Sequence, residues 1–307
     1  MTATAAPGDA GINAAPDTVD TTRPAGRAES AFRRVVRRYL KHRMAVVGLV
    51  VFVLLILMAI FAPLIAPMSP YKIFPEYDAA PGAGHILGTD STGRDVLSRL
   101  IYASRVSLTV GVGAVLVYVI IGVTLGLLAG YYGRWVDQIV MRVTDMFMSF
   151  PYFMLILVLV SVIGPSLLNI TAVIGFMAWP PVARLVRGQV LTIKESDYVR
   201  AGVSLGYQAP RILFRHILPN TLSPIVVNAT FGVAQAIILE SGLSFLGLGV
   251  RPPAASWGNM LTQAQSITVL ADQWWMWVPP GLMILIAVLA INFVGDGLRD
   301  ALEARQG

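Results

Sequence analysis

The feature that most constrains this chain is a series of long stretches without a single charged residue. Met44–Ala66 is 23 such residues, Val106–Gly133 is 28 and Met146–Ala183 is 38. A helix of that first length covers ~34 Å at ~1.5 Å per residue, enough for a hydrocarbon core of ~30 Å. Lipid offers backbone groups no partner, so such a stretch must satisfy its own hydrogen bonds as a helix. The third run is too long for one crossing. Gly164-Pro165-Ser166 punctuates it, which predicts two antiparallel spans joined by a tight turn. Ile217–Leu239 and Gln273–Gly295 complete a set of six, with Trp274, Trp275 and Trp277 placed as an interfacial belt.

Composition agrees. Charged residues make up 13% of the chain, against about 25% in soluble domains, too few to coat a water-facing surface. There is no cysteine, which excludes disulfides, thiol catalysis and Cys-ligated metal in this chain. His42, His85 and His216 are far apart in sequence, so no metal site is expected. A net charge of +6 would suggest nucleic acid in a soluble protein. Here the spans sort the charges: 18 of the 23 Lys and Arg fall on the side that holds both termini, and five on the other. The positive-inside rule makes the first side cytoplasmic and leaves no need for a nucleic-acid partner.

The segments between the spans differ in character. Residues 1–30 lack any apolar period and read as a disordered cytoplasmic tail, with no signal-peptide core. Residues 31–43 read as an amphipathic interfacial helix capped by Ser30. Phe32, Val35, Val36, Tyr39 and Leu40 form its apolar face; Arg33, Arg34, Arg37, Arg38 and Lys41 face anionic lipid. The first span, 44–66, is followed by a 67–105 external loop. There Gly93-Arg94-Asp95 leads into Leu97, Leu100 and Ile101, the pattern of an amphipathic helix on the outer surface. Residues 106–297 form a five-helix core, and 298–307 a cytoplasmic C-terminus.

Within the core, residues 193–219 are too long for a plain hairpin. Ser196 can cap a short helix, Asp197–Leu205, that ends at Gly206. Pro210 suits the first turn of a second, which Pro219 closes. The product is a bent knuckle. Ala201, Gly202 and Gly206 keep it slim enough for another protein to approach closely; the alternative is a helix lying on lipid. Glu240, in the outer part of span five, is an expensive group in a membrane. It either lines a translocation path and meets a cationic substrate group, accepts hydrogen bonds from nearby backbone where the helix breaks at Ser241-Gly242, or is shared with a partner subunit. Asp145 is placed to pair with Arg142 one turn away. Asn169, Thr171, Asn228, Thr230 and Gln235 suggest a polar cavity without a tight site.

The knuckle resembles the "EAA" coupling loop of ABC importer permeases. Its pattern falls on Arg200-Ala201-Gly202, Gly206 and Leu218-Pro219. HILGTDSTGRDVLSRLIYASRVSLTVG (85–111), ESGLSFLGLGVRPPAASWGNML (240–261) and VGDGLRDALEAR (294–305) resemble the C-type permease subunit of dipeptide, oligopeptide and nickel ABC importers. Arg200 and Gly202 depart from the family's usual residues. The resemblance implies an all-α integral membrane protein with six transmembrane helices, in the type I ABC importer permease fold with a cytoplasmic coupling helix. It implies a bacterial cytoplasmic-membrane location, and as partners a second homologous permease subunit, one or two ATPase subunits and an extracytoplasmic peptide-binding protein. ATP and Mg would sit on the ATPases, since no Walker A pattern occurs in this chain. Coupling would fall to Tyr198, Arg200, Ala201, Gly202, Gly206, Tyr207 and Arg211. Asn169, Asn228, Gln235 and Glu240 would lie on the path. Asp90, Arg94, Asp95 and Arg251 would either dock the binding protein or belong to a lid. Dipeptides or short oligopeptides are the expected cargo, with nickel or another small solute as the alternative. A proton-coupled secondary transporter would need mid-membrane ionisable groups and internal repeats, and neither is visible. A membrane hydrolase would need a nucleophile–base grouping, also not apparent.

Overall fold

A computed structural model describes residues 31–82 and 84–303. The expected tail, 1–30, and its Ser30 cap lie outside the described residues. The helices in chain order are α1 (Ala31–Lys41), α2 (Arg43–Ile60), α3 (Ala62–Ile65), α4 (Val96–Tyr132), α5 (Arg134–Met148), α6 (Tyr152–Ile163) and α7 (Leu167–Met177). Then follow α8 (Trp179–Lys194), α9 (Asp197–Ser204), α10 (Ala209–Ile212), α11 (Leu218–Leu243), α12 (Trp257–Met260), α13 (Ile267–Asp272) and α14 (Trp274–Glu303). Among the described residues there is no strand, only two isolated bridges, Ile73 with Arg94 and Thr89 with Asp95.

Five helical units are long and apolar enough to cross a membrane, and a sixth crossing exists if the bent pair α5–α6 counts as one. The bend is 85° and falls at Ser149–Pro151. Pro151 has no N–H to continue the ladder, so the helix restarts after it. At ~1.5 Å per residue α6 alone covers only ~18 Å, so the third span expected from Met146 reaches full length only if α5 is counted with it. The next span runs Leu167–Lys194 as α7 and α8, well past its expected end at Ala183. Pro180 and Pro181 sit in the first turn of α8, where their missing N–H groups cost least.

The long helix α4 stands at the centre. It starts at Val96, so the outer helix expected on the surface is instead the first turns of this span. Asp95 caps it by accepting from Ser98 N. Gly122, Gly126 and Gly130 recur every fourth residue and make one bare face. Val182, Val186 and Val190 of α8 recur at the same interval and press into it. A Cβ on Gly126 would lie 2.6 Å from the Ala183 carbonyl oxygen and 2.8 Å from Val186 Cβ. One on Gly130 would lie 2.7 Å from Val190 Cβ. In lipid, where apolar surface alone gives little reason to associate, such backbone approach is what holds helices together. Two ion pairs then tie α5 to α8: Arg187 with both oxygens of Asp137, and Arg184 Nη2 with Asp145 Oδ1 at 2.7 Å. Asp145 thus pairs across helices and not with Arg142, because α8 lies closer to its carboxylate than the preceding turn.

At the termini, α1 packs on the end of α14. Tyr39 is buried, donates to the Ala45 carbonyl at 3.1 Å and lies over Gly297. Val36 and Leu40 remain exposed, so the helix has one face on protein and another available to lipid. α14 runs on to Glu303, so much of the expected C-terminal tail is helix. Of the expected tryptophan belt only Trp274 is exposed; Trp275 is buried, its Nε1 donating to the Thr89 carbonyl at 3.4 Å.

Gly126→Ala forces a methyl against the α8 backbone, and we expect it to cost about 1–3 kcal/mol. Gly188→Ala, on α8 with open space beside it, should be neutral or stabilising by up to ~1 kcal/mol. Thermal unfolding in detergent separates the two; equal midpoints would remove the glycine face from the packing argument.

Candidate functional site

The segment 197–217 is seated on the bundle through buried Val199, Ile212, Leu213 and Ile217 and exposes residues 203–206. Ser196 Oγ donates back to the Ile193 carbonyl, so α9 lacks the expected hydroxyl cap. The Ser196 backbone carbonyl instead accepts from Val199 and Arg200. Val199 is buried and anchors α9 to the bundle, whereas Tyr198, Val203 and Leu205 are exposed, Leu205 at 72%. Arg200 pairs with Glu195. The hydrogen bond to that carboxylate, reinforced by its charge, raises the guanidinium pKa. Both groups face water, so the pair adds little stability.

The reversal comes at Gly206, whose φ of +78° is the left-handed conformation glycine adopts without strain. Gly206 N donates to the Val203 carbonyl at 2.9 Å and Tyr207 N to that of Gly202 at 3.1 Å, closing the end of α9. Gly202 is buried. A Cβ there would sit 3.2 Å from Tyr207 Cδ2, so its smallness serves the returning Tyr207 ring and not an outside partner. Ala201 and Gly206 are exposed, as expected. The Arg211 guanidinium lies 4.2 Å from the Tyr207 ring centroid, and His216 stacks on the same ring at 6.1 Å. Pro219 does not close a second short helix. It lies in the first turn of α11, which α10 reaches through a π-turn, Leu213–Ile217, so the knuckle passes without a break into a span.

Within the bundle a cavity of about 480 Å³ opens between α4, α5, α7, α8 and α11, with Tyr152 at the start of α6 on its edge. Tyr118, Phe147, Phe150 and Tyr152 line it with aromatic rings, and Asn228 and Gln235 supply amides. The other two expected path residues are elsewhere. Asn169 belongs to the first turn of α7, its Nδ2 donating to the Gly164 carbonyl at 2.8 Å. Glu240 is fully buried. Its Oε1 accepts from Ser244 Oγ at 2.6 Å and its Oε2 from Ser107 Oγ at 3.5 Å. Ser107 Oγ in turn accepts from Trp257 N at 3.1 Å. The carboxylate therefore fastens the outer segment 244–260 to α4. None of the three readings describes this geometry as it stands: α11 continues through Ser241-Gly242 to Leu243, and the donors to the carboxylate are serine hydroxyls and not backbone N–H groups. Thr171 and Thr230 spend their hydroxyls on carbonyls of their own helices. Phe231, which the search for polar residues passed over, also borders the cavity.

Two of the outer acidic residues are interior to their loop. Asp90 Oδ1 accepts from Thr92 N and Oγ1 and from Arg94 N; Oδ2 accepts from Arg94 Nε at 3.0 Å and forms an ion pair with Arg99 Nε 3.3 Å away. Asp95 is held between Ser98 and His85 Nδ1. Arg94 is mostly covered in this cluster, while Arg251 is exposed. Burial pushes the Asp90 pKa up, but the Thr92 and Arg94 hydrogen bonds and the Arg99 and Arg94 charges outweigh it and leave the group below its ordinary value.

A bundle of this kind, with a helical knuckle and an internal cavity, is that of a transport permease. Residues 122–307 match the family described as "Binding-protein-dependent transport system inner membrane component", and residues 30–81 match the "N-terminal TM domain of oligopeptide transport permease C". The chain is 41% identical over 279 residues to the dipeptide transport system permease protein of Alkalihalophilus pseudofirmus, covering 91% of each chain. It is 41% identical over 277 residues to the glutathione transport system permease protein of Pectobacterium atrosepticum, covering 89% of this chain and 91% of that one. A chain of the MetNI methionine ABC transporter, solved in inward facing conformations, shares the fold with a TM-score of 0.54 at 20% identity. The match covers 66% of this chain and 95% of that one. The chain therefore belongs to the binding-protein-dependent transport system inner membrane component family.

Glu240→Ala strands Ser107 and Ser244, and should destabilise by about 1–3 kcal/mol with faster amide exchange across 244–260; Glu240→Gln, which keeps an acceptor, should be milder. The Asp90 contribution is fully present above the free-carboxylate value of 3.8 and is lost as pH falls through the lower folded value. Amide exchange in the loop around Asp90 should thus rise as pH falls below 3.8 and level off beneath the folded value, and Asp90→Asn should remove the acid step.

Proposed function

We propose that this chain is one of two permease subunits of an ATP-driven importer that carries dipeptides or short oligopeptides into the bacterial cytoplasm by alternating access. The observation that carries the reading is the form of the 197–217 segment. It is a short helix with exposed apolar side chains, closed by a left-handed glycine and joined through a π-turn to a helix that borders the cavity. A body pushing on Leu205 and Val203 therefore has a continuous lever to the cavity wall. ATPase subunits supply that push, binding ATP and Mg; this subunit transmits it. The asymmetry of Lys and Arg supports the orientation, with the knuckle and both termini on the cytoplasmic side. An extracytoplasmic binding protein delivers cargo to the opposite face, where Arg251 and the 249–272 segment offer a surface.

The relatives named for dipeptide and glutathione transport support peptide cargo. So does the cavity wall, where rings and amides suit a peptide's apolar side chains and backbone amides better than a bare cation. The test is uptake by the reconstituted complex. Labelled dipeptide should accumulate with ATP in a vanadate-sensitive manner and nickel should not; the reverse result would move the cargo to metal ion. Leu205→Glu puts a charge where the ATPase seats while leaving the fold intact, since that side chain makes no buried contact of its own. It should abolish uptake without loss of the assembled bundle, and undiminished uptake would take the knuckle out of the mechanism.

A further inference from the structure

The cavity within the bundle has a neighbour. A second cleft of about 430 Å³ lies toward the end of the bundle that carries the knuckle, lined by Gln189, Ser223, Pro224 and Arg299 among others. Among the described residues, only Asn228 and Phe231 border both spaces. They are three apart on α11 and so stack on one helix face. Taken with the peptide-import reading, on which it rests, this arrangement leads us to infer that Phe231, braced by Asn228, is the septum of the substrate path in this subunit. It separates the cavity from the exit cleft and opens when the α11 wall moves.

Three features of the surroundings fit a movable partition. The Phe231 ring rests on bare backbone: a Cβ at Gly295 of α14 would lie 2.9 Å from both Phe231 Cε1 and Cζ. A ring seated on a glycine can be close-packed in one position and still leave without displacing a side chain. The wall opposite is fixed. Tyr118 approaches α11 so closely that a Cβ at Gly232 would fall 1.6 Å from its hydroxyl oxygen, and that hydroxyl donates to the Asn228 carbonyl at 3.5 Å. Below the septum, Pro224 interrupts the α11 hydrogen-bond ladder, and below that lies the π-turn that leads to the knuckle. A helix missing a bond one to two turns beneath the septum bends there at low cost. Movement of the knuckle therefore has a path along α11 to Asn228 and Phe231.

The absence of native cysteine makes the test direct. In the assembled complex, reconstituted without nucleotide, Gln189→Cys reports on the cleft and Gln235→Cys on the cavity. A membrane-impermeant maleimide applied from the knuckle side should label position 189 rapidly and leave position 235 protected. Adding Phe231→Ala should bring labelling at 235 up to the rate at 189, while Phe231→Leu, which keeps most of the bulk, should preserve protection. Gly295→Val, which evicts the ring into the passage, should block uptake while ATP hydrolysis continues. Equal labelling at 235 with Phe, Leu and Ala at position 231 would overturn the septum. The labelling does not depend on the solute carried, so failure of peptide uptake by the unmodified complex would count against the cargo alone.

Discussion

The close seating of α4 on α8 is the contact on which the other placements depend. Three glycines at four-residue intervals let the valines of α8 reach the backbone of α4, and the two helices then share a long interface inside the bundle. α7 and α11 pack on the remaining sides of α4, and α5 is pinned to α8 by Arg184 and Arg187. The cavity within the bundle is the space these four contacts leave unfilled. Its aromatic lining follows from the same geometry, because Tyr118 projects from α4 at the level where Phe147 meets Trp179 with ring centroids 5.5 Å apart.

A second principle governs the outer end. Acidic side chains there are fasteners. Asp90 gathers the amides and guanidinium groups of its own loop, Asp95 caps α4, and Glu240 joins two serine-bearing segments. Each is buried and each has hydrogen-bond donors on both of its oxygens, as a polar group away from water requires partners. The other end of α11 has a different build, with a π-turn at Leu213–Ile217 and an internal proline at 224.

Much of this was legible in the sequence, and the failures have physical causes. Uncharged runs located the membrane segments because charge is excluded from lipid whatever the packing. They misplaced the ends: residues 96–105 and 184–194 carry charges and are still helix, since Arg99, Arg184 and Arg187 find Asp90, Asp145 and Asp137, and Arg105 and Lys194 find backbone carbonyls. The knuckle was readable from Gly206 and Pro210, which impose local geometry. Gly202 misled, because a glycine that admits a folded-back Tyr207 looks the same in sequence as one that admits a partner. Glu240 was rightly singled out as costly, but its serine partners at 107 and 244 come from segments that only tertiary structure brings together. Phe231 went unnoticed, since an aromatic residue in an apolar span gives no signal until two spaces are seen on either side of it.

The pairing of the chain's two ends carries a last consequence. α2 rests chiefly on α14, with Gly48 against the backbone at Ala290, and Tyr39 lies over Gly297. The earliest membrane helix to leave the ribosome therefore meets α4 first, where Arg105 donates to the Ala59 and Ile60 carbonyls, and lacks its main seat until the final helix has been made. Translation order and packing order run in opposite directions. The bundle closes as a ring whose clasp is fastened last, and a chain cut short before α14 would leave its opening helix without its main seat.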